Sequence, residues 1–382
     1  MNGHSSSIDA RAGPRSANCG APTLLLPEGI VAAWGNRGIC ACHFSEANSM
    51  IRVPNVFHFI FGFRPQTEPF HLMHYLCLAS CIGVNRPDAV FFHCQHEPWG
   101  EYWERIRPAL TLRHIEPDPF IASFRYKDPM LERFRYAHFT DVARLKIIAE
   151  HGGIYADMDT VFVSPLSPLF FERSFVMGKE KPDFGDAAAR EAGGSLCNAW
   201  MMGEPGAPFA LEWLARLEET FDGSWNAHSC LAPYRLSREH PDWIHVEPER
   251  SFFYLDFAGA GLRDLFEGRI TSLDGIYSIH LWSHRWWDVR LRGPIRFHAG
   301  RLTPGYVRHA ATTYAEVARK FLPADLGRQD MLTWTGERLR AAIEDALWSV
   351  IGPPGRLERR LRRMRSRRDK RLARMTKPQG QS

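Results

Sequence analysis

Asp157 and Asp159 stand on either side of Met158 at the end of a short apolar run, Gly152-Gly153-Ile154-Tyr155-Ala156. Side chains alternate across a strand, so this spacing is expected to send both carboxylates to one side and Met158 to the other. Two oxygen ligands so close together suit a hard divalent cation such as Mg2+ or Mn2+, which can in turn grip a diphosphate. A nucleotide sugar is the substrate expected of such a pair. The triplet alone carries little weight, because at an Asp usage of ~5% it arises by chance roughly every few hundred residues.

The flanking elements add to it. Residues 139–150 are expected to form a helix, with Thr140 as N-cap and Val142, Leu145, Ile148 and Ala149 at helical spacing. Gly152 or Gly153 would end it in the left-handed conformation. Asp141 and Arg144, three apart, then share a face, where they could pair with each other, complement the helix dipole or meet a ligand. Downstream, Thr160-Val161-Phe162-Val163 is expected to continue the strand until Pro165 and Pro168 break it. The carboxylates would thus lie near a strand's exit into a loop, where α/β scaffolds usually hold ligands.

The run Thr140-Asp141-Val142-Ala143-Arg144, followed by Gly152-Gly153-Ile154-Tyr155-Ala156-Asp157-Met158-Asp159, resembles the sugar-binding DXD region of glycosyltransferase family 32. Its relatives include α-1,4-galactosyltransferases, capsular and lipopolysaccharide glycosyltransferases and the glucosylating domains of large clostridial toxins. Val53-Pro54-Asn55-Val56-Phe57-His58-Phe59-Ile60-Phe61-Gly62 is similar to the family's opening strand, with Phe61 where the family has Trp. Ile279-His280-Leu281-Trp282-Ser283-His284-Arg285-Trp286 resembles the family's His-x-x-x-x-Ser-Trp, with Arg285 in place of Ser. The resemblance covers roughly residues 51–290.

It implies an α/β fold of the GT-A, nucleotide-sugar-binding type, with a mainly parallel central sheet flanked by helices. It also implies a retaining, metal-dependent transfer of a hexose from a nucleotide sugar, UDP-linked in preference to GDP-mannose, to a glycan or lipid-linked acceptor. Under that resemblance Asp159 ligates Mn2+ or Mg2+ directly, Asp157 does so through water while touching sugar or ribose, and His280 supplies a nitrogen. His284 is the alternative ligand. Asp141 and Arg144 would bind donor-sugar hydroxyls, Tyr155 would sit beside the pyrophosphate, and Phe61 and Trp286 would border the donor. Asn198 might reach the reaction centre from a neighbouring strand, or might be a buried amide that meets only backbone.

Two other enzymes remain open. Asp157-Met158-Asp159-Thr160-Val161 also matches the opening of haloacid-dehalogenase-type phosphatases, with Asp157 as nucleophile, but that motif belongs on the first core strand. A toxin-like protein glycosyltransferase is the other, although the long targeting regions of such toxins are absent. A third reading makes the basic tail the functional part and the body a scaffold.

At 382 residues and 45% hydrophobic content, with 12 Trp and 25 Phe, the chain can bury one large core. The 8 cysteines lack zinc-type spacing and read as reduced, mostly buried thiols. No run reaches the ~18 apolar residues of a membrane span, which argues against an anchored enzyme or a simple secretory signal and for a cytoplasmic protein. The net charge of +5 hides an asymmetry: residues 356–377 hold 12 Lys/Arg and 2 Asp/Glu, leaving 36 basic against 41 acidic residues elsewhere. Leu357, Leu361, Met364, Leu372 and Met375 fall on one helical stripe of this tail. An amphipathic helix lying on anionic lipid at the membrane's inner face is therefore expected, in preference to a solvated tail or one bound to nucleic acid.

The expected order is strand 53–61, helix 68–82, strand 88–94, helix 99–106, strand 110–116, the site helix and strand, a mobile loop 183–195, strand 196–203 and helix 208–220. Late helices follow at 312–320 and 329–350. The expected divisions are 1–50, flexible or a misannotated start upstream of Met50; 51–310, catalytic; 311–352, helical; and 353–382, the basic tail after Pro353-Pro354-Gly355.

Overall fold

The computed structural model describes residues 51–182, 187–288, 295–327 and 331–351. The expected N-terminal segment, the basic tail and residues 183–186 of the expected loop lie outside the described residues.

Aromatic and β-branched runs form β1 Val56–Phe61, β2 Ala89–Cys94, β3 Thr111–His114, β4 Gly153–Ala156, β5 Thr160–Phe162, β6 Phe175–Lys179, β7 Leu196–Gly203, β8 His245–Glu247 and β9 Ser278–His280. Seven of them build one sheet in the order β3-β2-β1-β4-β7-β6-β8. All run the same way except β7, which is antiparallel to both β4 and β6. The expected α/β architecture with a mainly parallel sheet is the one observed.

Helices α1 Leu72–Asn85, α2 Glu101–Ile106, α3 Pro119–Ser123 and α4 Arg135–His151 alternate with the first strands. Alternation along β1 sends Phe57 and Phe59 into a core with Met73 and Leu76 of α1. It sends Ile60 into a second core with Leu145 and Ile148 of α4, Tyr155 and Met201. Each such side chain, fully buried, contributes about 1.5–3 kcal/mol. Strands β4 and β7 are buried along their whole length, which explains why their sequences read as apolar runs, interrupted only by Asn198 of β7.

Five expectations are corrected. The site helix begins at Arg135 and lacks a side-chain N-cap; Thr140 lies inside it, its hydroxyl donating to the Tyr136 carbonyl. Tertiary bonds hold the extra turn, because the Arg135 guanidinium donates to the carbonyls of Ala122 (3.1 Å) and Phe124 (2.9 Å). Residues 187–192 of the expected loop are helical, and the helix expected at 208–220 is split at Arg216.

The fourth correction matters most. Asp157 and Asp159 do not lie on a strand: β4 ends at Ala156, and Met158 and Asp159 form a turn. Strand β5 then leaves the main sheet to pair antiparallel with β9 alone.

The helix ends at the expected glycine, but not in the left-handed conformation expected: Gly152 combines a positive φ with an extended ψ of −165°. Gly152 (φ 66°) ends α4 with its N–H on the Ile148 carbonyl at 2.9 Å, and Gly153 (φ 95°) follows. A Cβ on Gly153 would stand 2.8 Å from the Val56 carbonyl oxygen, so both conformation and space require glycine there. Cys77, Cys81, Cys94, Cys197 and Cys230 are buried free thiols.

Candidate active site

The turn between β4 and β5 is held from both sides. The Asp157 N–H donates to the Ala199 carbonyl of β7 at 2.8 Å, and His74 of α1 reaches the Met158 carbonyl at 3.3 Å. Strand β9 then delivers a residue 120 positions away, because Thr160 is the register partner of His280. Leu281 N–H donates to the Asp159 carbonyl at 2.8 Å, and Ser283 N–H donates to Asp159 Oδ2 at 2.7 Å. The second bond depends on Trp282, which adopts the left-handed conformation (φ 55°) that is rare for so large a residue. Its indole N–H anchors it to the Leu255 carbonyl at 2.7 Å.

Asp157, Asp159 and His280 offer ligand atoms that all lie within 4.8 Å of one another. His280 Nε2 is 3.1 Å from Asp159 Oδ1 and 3.7 Å from Asp157 Oδ2. Both ring nitrogens of His280 are buried without an aligned hydrogen bond. Burial works against protonation of this imidazole, but the Asp159 and Asp157 carboxylates outweigh it and raise its pKa to about 10. Burial likewise opposes ionisation of Asp159, yet His280 and the Ser283 N–H hold its carboxyl far below the usual range. Two carboxylates, one imidazole and orphaned buried nitrogens form an O/O/N donor set that suits Mn2+ or Mg2+. His284 is exposed and is not part of this group.

A buried polar network adjoins the group. Arg144, with a side chain 6% exposed, lies 3.1 Å from Asp157 Oδ1 and 3.4 Å from Asp141 Oδ1. Its Nη1 donates to the Asn198 carbonyl (2.9 Å) and side-chain oxygen (3.2 Å), and its guanidinium carbon stands 4.7 Å above the Tyr155 ring. The Tyr155 hydroxyl donates to Asp157 Oδ1 at 2.5 Å. Asn198 Nδ2 donates to Asp141 Oδ1 at 2.8 Å, so this amide meets side chains as well as backbone. Burial would push the Asp141 carboxyl up, but Arg144 and then His228 bring it down to about 2.

The structure thus brings Asp141, Arg144, Tyr155, Asp157, Asp159, Asn198 and His280 together. Phe61 packs against Phe70 (5.5 Å) and His74 (5.0 Å), one ring away from the Met158 carbonyl. Trp286, expected to border the donor, is instead 1% exposed. It packs on Phe266 at 4.6 Å and donates to the Leu281 carbonyl at 2.6 Å, because the short turn at 283–285 swings it into the core. Its neighbour Trp287 stacks on His74 at 5.5 Å. His74, Trp287 and His228 are missed by the sequence reading, since His74 and His228 come from segments without a motif and Trp287 stands one residue beyond one. The phosphatase alternative is set aside, because the aspartates follow the fourth strand of the described residues rather than opening the first.

Residues 110–176 match the model of a glycosyltransferase sugar-binding region containing a DXD motif. Glucan organizing enzyme 1 of Cryptococcus neoformans var. grubii serotype A is 30% identical over 280 residues, which cover 71% of this chain and 71% of that protein. Among solved structures, the galactosyltransferase LgtC in complex with donor and acceptor sugar analogues aligns over 74% of this chain and 99% of its own, at 13% identity and a TM-score of 0.39. The PaToxG glycosyltransferase aligns over 50% of this chain and 70% of its own, at 13% identity and a TM-score of 0.34. On the strength of the sequence relative and the matched motif region, this chain belongs to the glycosyltransferases whose sugar-binding region contains a DXD motif.

Proposed function

We propose that the protein is a divalent-cation-dependent, retaining hexosyltransferase. Its donor would be a nucleotide sugar, UDP-linked in preference to GDP-mannose, and its acceptor a glycan or lipid-linked glycan. The observation that carries this reading is the Asp157, Asp159 and His280 group lying directly against the buried Asp141, Asn198 and Arg144 network. One half suits a metal diphosphate and the other suits sugar hydroxyls.

Asp157, Asp159 and His280 would hold Mn2+ or Mg2+. A cation held there would supply Lewis-acid neutralisation of the pyrophosphate charge. The chain's own residues do the positioning. Asp141 accepts from hydroxyls of the donor sugar, and Arg144 and Asn198 orient Asp141 while presenting their remaining donors to the same sugar. The permanent charge and planar fork of Arg144 suit it to hold two carboxylates at fixed angles. Tyr155 and Arg144 together fix Asp157 Oδ1, so that its other oxygen faces His280. Retention of configuration follows from the family resemblance alone.

The name of the Cryptococcus relative supports a glycan acceptor. Among the described residues no helix is long and apolar enough to cross a membrane. The composition of the basic tail supports a cytoplasmic enzyme held peripherally at the membrane's inner face, where polysaccharide or lipopolysaccharide is built.

The test is hydrolysis of UDP-galactose, UDP-glucose, UDP-N-acetylglucosamine and GDP-mannose with added Mn2+. One donor should turn over, and Asp159→Asn should abolish that turnover while circular dichroism stays unchanged. Undiminished turnover in the variant, or none of the donors cleaved by the parent enzyme, overturns the assignment.

A further inference from the structure

The donor-sugar side of the site contains a residue with no place in the motif. His228 lies on a short π-helical turn, Ala227–Leu231, a kind of element often found at functional sites. Its Nε2 is 3.0 Å from Asp141 Oδ2, and the residue is 1% exposed. Asp141 is thereby gripped at both oxygens: Asn198 holds Oδ1 from β7, and His228 holds Oδ2 from an element 87 residues along the chain. An ionised carboxylate has about four acceptor positions; Asn198 and Arg144 face Oδ1, and Oδ2, which meets His228, keeps capacity for a hydroxyl of the ligand.

The ring of His228 is itself fixed. Phe221 lies 4.6 Å from it, and His138 stands nearly perpendicular at 5.2 Å. Trp213 Nε1 pins its backbone by donating to the His228 carbonyl at 2.9 Å. His138 is held in turn by the Tyr126 hydroxyl at 2.6 Å. Nδ1 of His228 is buried without a partner, so placing the N–H on Nε2 rather than Nδ1 leaves only a lone pair unmet, the less costly arrangement.

We propose that His228 is a positioning residue for donor recognition: through Nε2–H it fixes the rotamer of Asp141, and so sets how tightly and at what angle the sugar, rather than the nucleotide, is held. This inference rests on the reading of Asp141 as a sugar-hydroxyl ligand. The geometry of His138, Asp141 and His228 would also admit a metal ion. Hydrogen bonding is favoured over that reading, because the Arg144 cation already lies 3.4 Å from Asp141 and would repel a second one.

The test compares parent enzyme, His228→Leu and His228→Gln, since the Gln side chain can place an N–H donor where Nε2 stands. The measurements are Mn2+-dependent hydrolysis of whichever nucleotide sugar the parent enzyme cleaves, and calorimetric affinity for the matching free nucleoside diphosphate with Mn2+. His228→Leu should lower kcat/KM for the nucleotide sugar roughly 10- to 100-fold, the cost of a misplaced positioning group. Nucleoside diphosphate affinity should hold, which also reports that the variant is folded, and His228→Gln should recover most of the loss. Equal loss of sugar and nucleotide binding, or no recovery in the Gln variant, overturns the inference. So does Co2+ binding that survives Asp159→Asn but disappears in His228→Gln, which would make the cluster a second metal site. A parent enzyme that cleaves no nucleotide sugar instead overturns the functional reading beneath it.

Discussion

Replacing Arg144 by methionine keeps most of the side chain's volume and removes its charge from between two carboxylates. The guanidinium lies 3.1 Å from Asp157 and 3.4 Å from Asp141, beneath a surface that leaves only 6% of it exposed. Removing one partner of a buried pair generally costs about 3–5 kcal/mol, because the remaining charge is left without compensation. Part of that cost can be read from Asp141. Its carboxyl drops from an ordinary 3.8 to about 2, against the effect of burial, with Arg144 the largest lowering influence and His228 the next. At 1.36 kcal/mol per pH unit this is worth roughly 2 kcal/mol. A depressed carboxylate contributes stability above its unfolded pKa and loses it as pH falls through the folded value. The deficit of Arg144→Met should therefore be full near pH 7 and shrink as pH falls from about 4 toward about 2. Urea unfolding of both proteins across that range measures the deficit, with an unchanged m-value certifying comparable transitions. A deficit below about 1 kcal/mol near neutrality, or one of constant size down to the acid end, would refute the assignment of Arg144 as the compensating cation.

His280 gives a prediction for the metal. With its pKa raised to about 10, the imidazole is protonated at neutral pH in the metal-free protein, whereas a ligating nitrogen must be neutral. Mn2+ uptake should therefore release a proton and tighten as pH rises, as calorimetry in buffers of different ionisation enthalpy can show; a pH-independent affinity would refute the ligand role. His280→Ala should weaken Mn2+ binding, and an unchanged affinity would pass the third position to His284. Truncation before Pro353 should leave cation-dependent donor hydrolysis intact and abolish sedimentation with vesicles of anionic lipid. Vesicle binding that survives the cut would remove the tail from that role.

The strand and helix order around the site could be read with small errors at the ends. Strand β7 is legible at its full extent, 196–203, because its eight buried residues form an apolar run that only Asn198 interrupts. Helix α4 was placed but begun four residues late. Arg135 and His138 carry no apolar periodicity, and what holds them helical is contact with residues 121–124 and Tyr126. Strand alternation is an incomplete reason for the aspartates to share one edge. Alternation along one strand would have put them on a common side, whereas they converge because the chain turns at Met158 and Asp159 and β5 joins a different ribbon. Trp286 was misplaced because a motif fixes spacing along the chain and not the side to which a turn sends an indole.

The sequence by itself determined the carboxylate pair, the Asp141 and Arg144 helix face, the glycines that a positive-φ turn requires, and the parallel α/β order. All of these are local, since they follow from side-chain chemistry at short separations and from backbone freedom. Tertiary structure alone decided that His280 meets Asp159 through the register of β5 and β9. It likewise decided that Asn198 and His228 each take one oxygen of Asp141, and that Arg144 bridges the cation group and the sugar-binding group. The contacts of Asn198 and His228 with Asp141 join residues 57 and 87 positions apart. Burial is what makes them strong, and burial belongs to the folded molecule rather than to any segment of the chain.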